Sequence, residues 1–302
     1  MTAKLPYIQI IIGASLWGII GIFVNNLYTY GYTPMQVVAI RVSAAALILV
    51  GFALFKNHRI PKISLSDVKY FVGTGILSIV FFNWCLFFTI KESGLTVAAV
   101  LLYTAPAFVM LLSAILFQER ITPSKMIALL TSIMGCSFVV GLLPGFDADI
   151  TMVGFLSGIG AGVGYALYSI FGKFALLKYD SFTVTFYTFL FAAVFMLPIS
   201  KLWEKGDVLT NPGAVINICC LGLLSTVLAY IFYTKGLETV ESSRASIMAT
   251  IEPVIAVLAG VIFFKETLTI WQTAGVFLII FSVIIIQDKK EIEELRESQF
   301  HS

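Results

Sequence analysis

Residues 98–122, AAVLLYTAPAFVMLLSAILFQERIT, and residues 245–269, ASIMATIEPVIAVLAGVIFFKETLT, read as two versions of one segment separated by 147 positions. Ala98, Pro106, Leu111, Ile115, Phe117, Glu119 and Thr122 of the first recur as Ala245, Pro253, Leu258, Ile262, Phe264, Glu266 and Thr269 of the second. Seven identities in an apolar stretch are modest evidence alone. The same offset lays Gly75, Leu77, Ser78 and Val80 over Gly222, Leu224, Ser225 and Val227, and an offset of 148 lays Leu16-Trp17-Gly18 over Gly164-Tyr165-Ala166. One register nearly holds along the whole chain, which is the mark of an internal duplication.

The solvent of this duplicated unit follows from composition. Of 302 residues 59% are apolar and 12% charged, against roughly 25% charged in an ordinary soluble domain. With a mean hydropathy of +0.97, most of the chain requires a lipid bilayer. A net charge of +2, evenly spread, does not mark a nucleic-acid binder, so no nucleic-acid partner is expected. The two histidines, His58 and His301, lie far apart, and no metal-ligand spacing, phosphate loop or catalytic set is present, so neither cofactor nor enzymatic activity is expected. Cys85, Cys136, Cys219 and Cys220 sit in apolar runs and read as small buried hydrophobes.

A crossing helix needs about 20 mainly apolar residues. Charge-free runs, together with the stretch around Glu252, give ten helices at 6–27, 34–55, 67–89, 95–117, 122–142, 151–176, 181–201, 213–235, 244–264 and 268–287. The first run lacks a small-residue cleavage site and is kept as a span. Ten spans place both termini on one side. Lys and Arg then divide as fourteen on the terminal side against four on the other, with Arg41 inside a helix. Basic residues favour the cytoplasm, so both termini are assigned there, in a multi-pass protein of the cell (inner) membrane. The expected fold is an all-α membrane protein of ten transmembrane helices in two inverted five-helix repeats, 1–145 and 146–287, followed by a charged cytoplasmic tail, 288–302.

Five is odd, so the second repeat enters the membrane from the opposite side. Two similar halves packed in opposite senses can exchange conformations, opening a midplane site first to one face and then to the other. That architecture points to a transporter, with a channel, a lipid-flipping protein and a membrane enzyme as the alternatives.

These residues resemble the EamA family of the drug/metabolite transporter superfamily over nearly the whole chain. The resemblance rests on Leu16-Trp17-Gly18, on Ala98 through Pro106 to Phe117-Gln118-Glu119, and on Ala245 through Glu252-Pro253 to Phe264-Lys265-Glu266. It implies ten helices in two repeats and an inner-membrane carrier of small metabolites, often an exporter of amino acids or related compounds.

Among single residues, Glu252 is the one carboxylate well inside a predicted span, ~12 Å along its helix. An acid in hydrocarbon is either neutral or paired with a cation. Its readings are a partner for a substrate ammonium, a proton-coupling site, or a structural pair with Arg41 or a tyrosine hydroxyl. Arg41 lies ~10 Å deep and is read either as a partner for a substrate carboxylate or as a structural anchor. Pro106 and Pro253, read as lying within their helices, are candidate hinges. Trp17, Tyr103, Tyr165, Tyr168 and Tyr230 are candidate cavity-lining aromatics, and Asn83, the repeat counterpart of Tyr230, joins them. The series Gly158, Gly160, Gly162 and Gly164 fails the dinucleotide spacing and reads as close helix packing. Glu119 and Glu266 are read as helix-end residues for which capping suffices.

The expectation is a secondary transporter working by alternating access on small amine-bearing or zwitterionic metabolites, with export preferred from the resemblance alone. An uncoupled facilitator and a lipid or lipid-linked-sugar flippase are the rivals. The partners are a small-molecule substrate and the bilayer; the oligomeric state is left open. The topology is testable. Single cysteines placed at Asn57 and at Asp147 should label from opposite sides of intact cells, and labelling from one side overturns the ten-span inverted arrangement.

Overall fold

The structure is a computed structural model describing residues 4–55, 61–142, 150–203 and 211–287. The tail 288–302 and the positions Asn57 and Asp147 lie outside the described residues. Helices account for all regular structure among those described, with no strand. Seven helical segments are long and apolar enough to cross a membrane unaided: Leu5–Thr29, Pro34–Phe55, Leu65–Leu102, Met152–Leu176, Ser181–Ser200, Pro212–Leu237 and Ser242–Phe264. Three shorter apolar helices, Ala105–Phe117, Pro123–Val139 and Ile270–Ile285, accompany them. Each of the ten expected segments coincides with helix, and the count of ten crossings rests on those short three.

The helices are labelled α1 (Leu5–Gly18), α2 (Ile20–Thr29), α3 (Pro34–Phe55), α4 (Val68–Val72), α5 (Phe81–Leu102), α6 (Ala105–Phe117), α7 (Pro123–Val139), α8 (Met152–Leu176), α9 (Ser181–Ser200), α10 (Pro212–Gly222), α11 (Ala229–Leu237), α12 (Ser242–Met248), α13 (Ile251–Phe264) and α14 (Ile270–Ile285). Several irregularities come in matched pairs, while the break at Ile19 between α1 and α2 has none in the continuous α8. The chain breaks between α5 and α6 and again between α12 and α13. The α6 and α13 helices end on left-handed residues, Gln118 (φ 57°) and Lys265 (φ 56°). The following helices start on Thr122 and Thr269, whose hydroxyls accept from Lys125 N at 3.4 Å and Gln272 N at 3.2 Å. Wide π-helical turns occupy Gly73–Val80 and Leu223–Leu228, overlapping positions of the two halves. Within α5 the backbone turns at Gly94 (φ 86°, ψ 166°), so a new helical stretch begins at Leu95. A side chain is rarely tolerated at such a φ.

One expectation is corrected here. Pro106 and Pro253 do not interrupt helices; Pro106 is the second residue of α6 and Pro253 the third of α13. In a first turn the missing N–H had no helical partner to lose. The breaks lie just upstream, at Tyr103–Thr104 and Ala249–Thr250. There Thr104 and Thr250 donate their hydroxyls back to Leu101 O and Ile247 O, both at 2.6 Å, so these carbonyls do not face apolar surroundings unpaired.

Packing obeys exchange of the halves. Helix α5 lies on α8 as α11 lies on α1; α6 meets α8 as α13 meets α1; α3 pairs with α9 and α7 with α14. The glycine series of α8 serves this contact, since a methyl on Gly158 would collide with Leu101 and one on Gly164 would press on Phe81 and Phe82. On α1, Gly13 lets the backbones of Ala229 and Tyr233 approach in the same way.

The end of the bundle carrying Leu5 and Gln287 is called the terminal face and its opposite the distal face. Polar contacts lock the terminal face. Glu119 accepts from the N–H of Ser242 (2.7 Å) and of Ser243 (3.1 Å) and from the Ser243 hydroxyl (2.5 Å). Lys125, 1% exposed, and Arg244 both pair with Glu241, at 2.9 and 2.7 Å. Arg244 also donates to Ile286 O at 2.7 Å, and Lys173 donates to Leu237 O and Val240 O at 2.7 and 2.9 Å. Burial pushes the Glu241 carboxyl pKa up, but the hydrogen bonds from Lys125 and Arg244 outweigh it and hold the group below its usual range.

A depressed folded-state pKa adds stability that is present above the unfolded value and lost as pH falls through the folded one. Glu241→Gln should therefore destabilise the protein by about 3 kcal/mol near neutral pH, because it removes the counter-charge of two buried cations. The difference in melting temperature between wild type and variant should narrow below about pH 4. A constant difference across that range refutes the ionic account.

Candidate substrate site

Glu252 follows the break at Ala249–Thr250 and so stands in the first turn of α13. A helix N-terminus favours a carboxylate there. Its Oε2 accepts from Tyr165 Oη at 3.4 Å. The side chain opens into a chamber of about 500 Å³ that reaches the distal face, bounded by α1, α2, the stretch from Leu95 to Tyr103, the end of α7, and α13. Trp17 and Tyr103 wall it near Glu252, while Asn25, Thr96 and Glu266 stand toward its mouth. Glu252 and Glu266 are the charged residues lining the chamber, and no Lys or Arg joins them among the described residues.

Behind Trp17 the bundle is nearly solid. The indole packs against Tyr230 (4.9 Å between ring centroids), Tyr233 (5.0 Å) and Tyr165 (6.4 Å). The void behind it, shared with Ser78, Phe82 and Tyr168, is about 10 Å³, the room of one water molecule. Tyr168 shares a hydrogen bond with Thr234 at 2.7 Å and Tyr233 one with Ser169 at 2.7 Å. The Trp17 indole N–H is buried with no hydrogen-bond partner among the described residues. A buried donor left unpaired is unfavourable by about 1–3 kcal/mol, and this one is closed off from the chamber.

The structure thus brings Trp17, Tyr103, Tyr165 and Glu252 together and places the other candidates apart. Tyr168 and Tyr230 lie in the tyrosine layer behind Trp17. Arg41 donates to Thr226 Oγ1 at 3.2 Å and to Tyr230 Oη at 3.4 Å, with its guanidinium 5.7 Å from the Tyr230 ring centre. It neither lines the chamber nor pairs directly with Glu252. Asn83 is buried and donates to Ile79 O at 2.7 Å, within its own helix. Pro253 lines the chamber while Pro106 borders a small adjoining void with Tyr165 and Glu252. Sequence reasoning passed over Asn25, Thr96 and Glu266, although Glu266 is one of the seven residues that both repeats share. Its retention by both halves was the available signal.

The sequence matches the model of the EamA-like transporter family twice, over residues 4–141 and 152–287. An uncharacterized transporter of Archaeoglobus fulgidus is 29% identical over 276 residues, covering 91% of this chain and 94% of the relative. The uncharacterized inner membrane transporter YicL of Salmonella typhimurium is 25% identical over 284 residues, covering 92% and 94%. A solved crystal structure superposes with a TM-score of 0.77 at 16% identity, covering 94% of this chain and 96% of the other, and so shares the fold. Matched in each of its halves, this membrane protein belongs to the EamA-like transporter family.

Proposed function

We propose that the protein is a secondary transporter of small amine-bearing metabolites, with Glu252 as the partner of the substrate ammonium. The observation that carries this reading is the chamber itself: two carboxylates, aromatic walls and no basic lining residue. An ammonium entering it meets Glu252 at one end and the faces of Trp17 and Tyr103, which attract cations. Arg41 is already engaged by Thr226 and Tyr230, which favours an amine over a zwitterion needing a second, cationic partner.

Transport proceeds by alternating access between the inverted halves, with both termini in the cytoplasm of a cell that holds the protein in its inner membrane. In that orientation the chamber opens outward. Glu252 exchanges a proton for the substrate ammonium, so the gradient of one drives the other, and export is the direction assigned.

Purified protein should gain thermal stability from amines in a ligand screen, because a ligand that binds only the folded state raises it. Glu252→Gln should keep fold and size and lose amine binding and proteoliposome transport by about tenfold or more, the worth of a charge-assisted hydrogen bond. Trp17→Phe, which keeps the ring, should weaken binding less. Adding amine to lightly buffered wild type near neutral pH should release protons, and Glu252→Gln should abolish that release. Unaltered transport and an unchanged pH profile in Glu252→Gln would remove this residue from the site.

A further inference from the structure

The two copies of the shared Phe-x-Glu ending are in different states. Glu119, at the end of α6, is bonded to the start of the segment Ser242–Phe264 at the backbone of Ser242 and Ser243 and at the Ser243 hydroxyl. Ser242 and Ser243 are 0% and 1% exposed. The counterpart Glu266, at the end of α13, is exposed at the mouth of the chamber and has no hydrogen-bond partner there among the described residues.

The repeat register names the partner it lacks. Displacing Ser242 and Ser243 by 147 positions gives Leu95 and Thr96. These begin the helical stretch that follows the turn at Gly94, as Ser242 and Ser243 begin theirs after Glu241. Thr96 supplies a hydroxyl where the other copy has that of Ser243. Both Leu95 and Thr96 line the same chamber as Glu266, and Leu95 is 69% exposed.

We infer that Glu119 and Glu266 are alternating latches: Glu119 on Ser242 and Ser243 shuts the terminal face in the state seen here, and Glu266 on Leu95 and Thr96 shuts the distal face in the opposite state. Exchange of the conformations of the two halves converts one contact into the other. Glu266 then leaves water for backbone N–H groups and a hydroxyl, in a contact like the one Glu119 makes now. The ion pairs of the terminal face do not alternate, since the counterparts of Lys125, Glu241 and Arg244 are Gln272, Gly94 and Val97. Glu266 is thereby a positioning residue of the transport cycle, distinct from the substrate-binding Glu252. The inference rests on the alternating access proposed above.

The test reads conformation without needing a substrate. Val109 is the counterpart of Ala256; Ala256 lines the open chamber and Val109 is 0% exposed. In a chain with Cys219 and Cys220 replaced by Ser, Val109→Cys should react with a water-soluble maleimide only in the terminal-open state, so its rate follows that population. Glu119→Gln should raise the rate about tenfold and Glu266→Gln should lower it about tenfold, each by weakening a charge-assisted contact in one state alone. Ser243→Ala offers the terminal-side change in milder form should Glu119→Gln fold poorly. Shifts of opposite sign support the latches, and loosened packing would move both variants the same way. An unchanged rate in Glu266→Gln, or shifts of one sign, overturns them. If the opposite shifts appear while no amine is carried, the latches stand and the substrate assignment falls; if amines are carried with no shift, the reverse holds.

Discussion

In hydrocarbon a backbone must satisfy its own N–H and C=O groups, and irregular backbone survives only where it is buried in protein or lines a wet cavity. The two breaks at Tyr103–Thr104 and Ala249–Thr250 meet this constraint locally, through threonine hydroxyls that return to the preceding turn. They also flank the chamber, with Tyr103 on its wall and Glu252 immediately after the second break. The second break places a helix N-terminus at membrane depth, and that positive end makes a site for the Glu252 carboxylate. Position of the break, position of the acid and position of the cavity are one structural fact.

Duplication supplies the frame, and departures from it mark specialised positions. Glu252 corresponds to Ala105, which is buried, so only one half carries the acid. Arg41 corresponds to Phe189, and both pack on Tyr230, one through its guanidinium at 5.7 Å and the other edge-on at 4.9 Å between ring centroids. The ionic cluster of Lys125, Glu241 and Arg244 belongs to the terminal face alone. Within it Lys125 and Arg244 are buried and Glu241 is 31% exposed, and the pairs hold the terminal face together in this structure. Nearly equal halves are in this way held by unequal contacts.

Much of the architecture was legible in the chain. Charge-free runs locate the helices to within a few residues, because a charge in lipid is so unfavourable that its absence is a reliable signal. The offset of 147 pairs the left-handed Gln118 with Lys265 and the capping Thr122 with Thr269, because equal sequences at equal depths fold alike. Depth within the predicted spans singled out Glu252 and the aromatics Trp17, Tyr103 and Tyr165, which the structure brings together.

Three matters were decided only by the tertiary structure. The turn at Gly94 and the π-helical stretches depend on packing against other helices, and apolar periodicity carries no trace of them. Arg41 was not placed by depth alone, because a long guanidinium stem has several reachable partners; Thr226, presented by the π-helical turn of the other half, takes it. The sequence by itself determined that the halves are alike, through duplicated residues at duplicated depths. That they stand in different conformations, with the Glu119 carboxylate bonded and that of Glu266 without a hydrogen-bond partner among the described residues, is decided by contacts between the halves, since matching sequences cannot state which copy makes the contact.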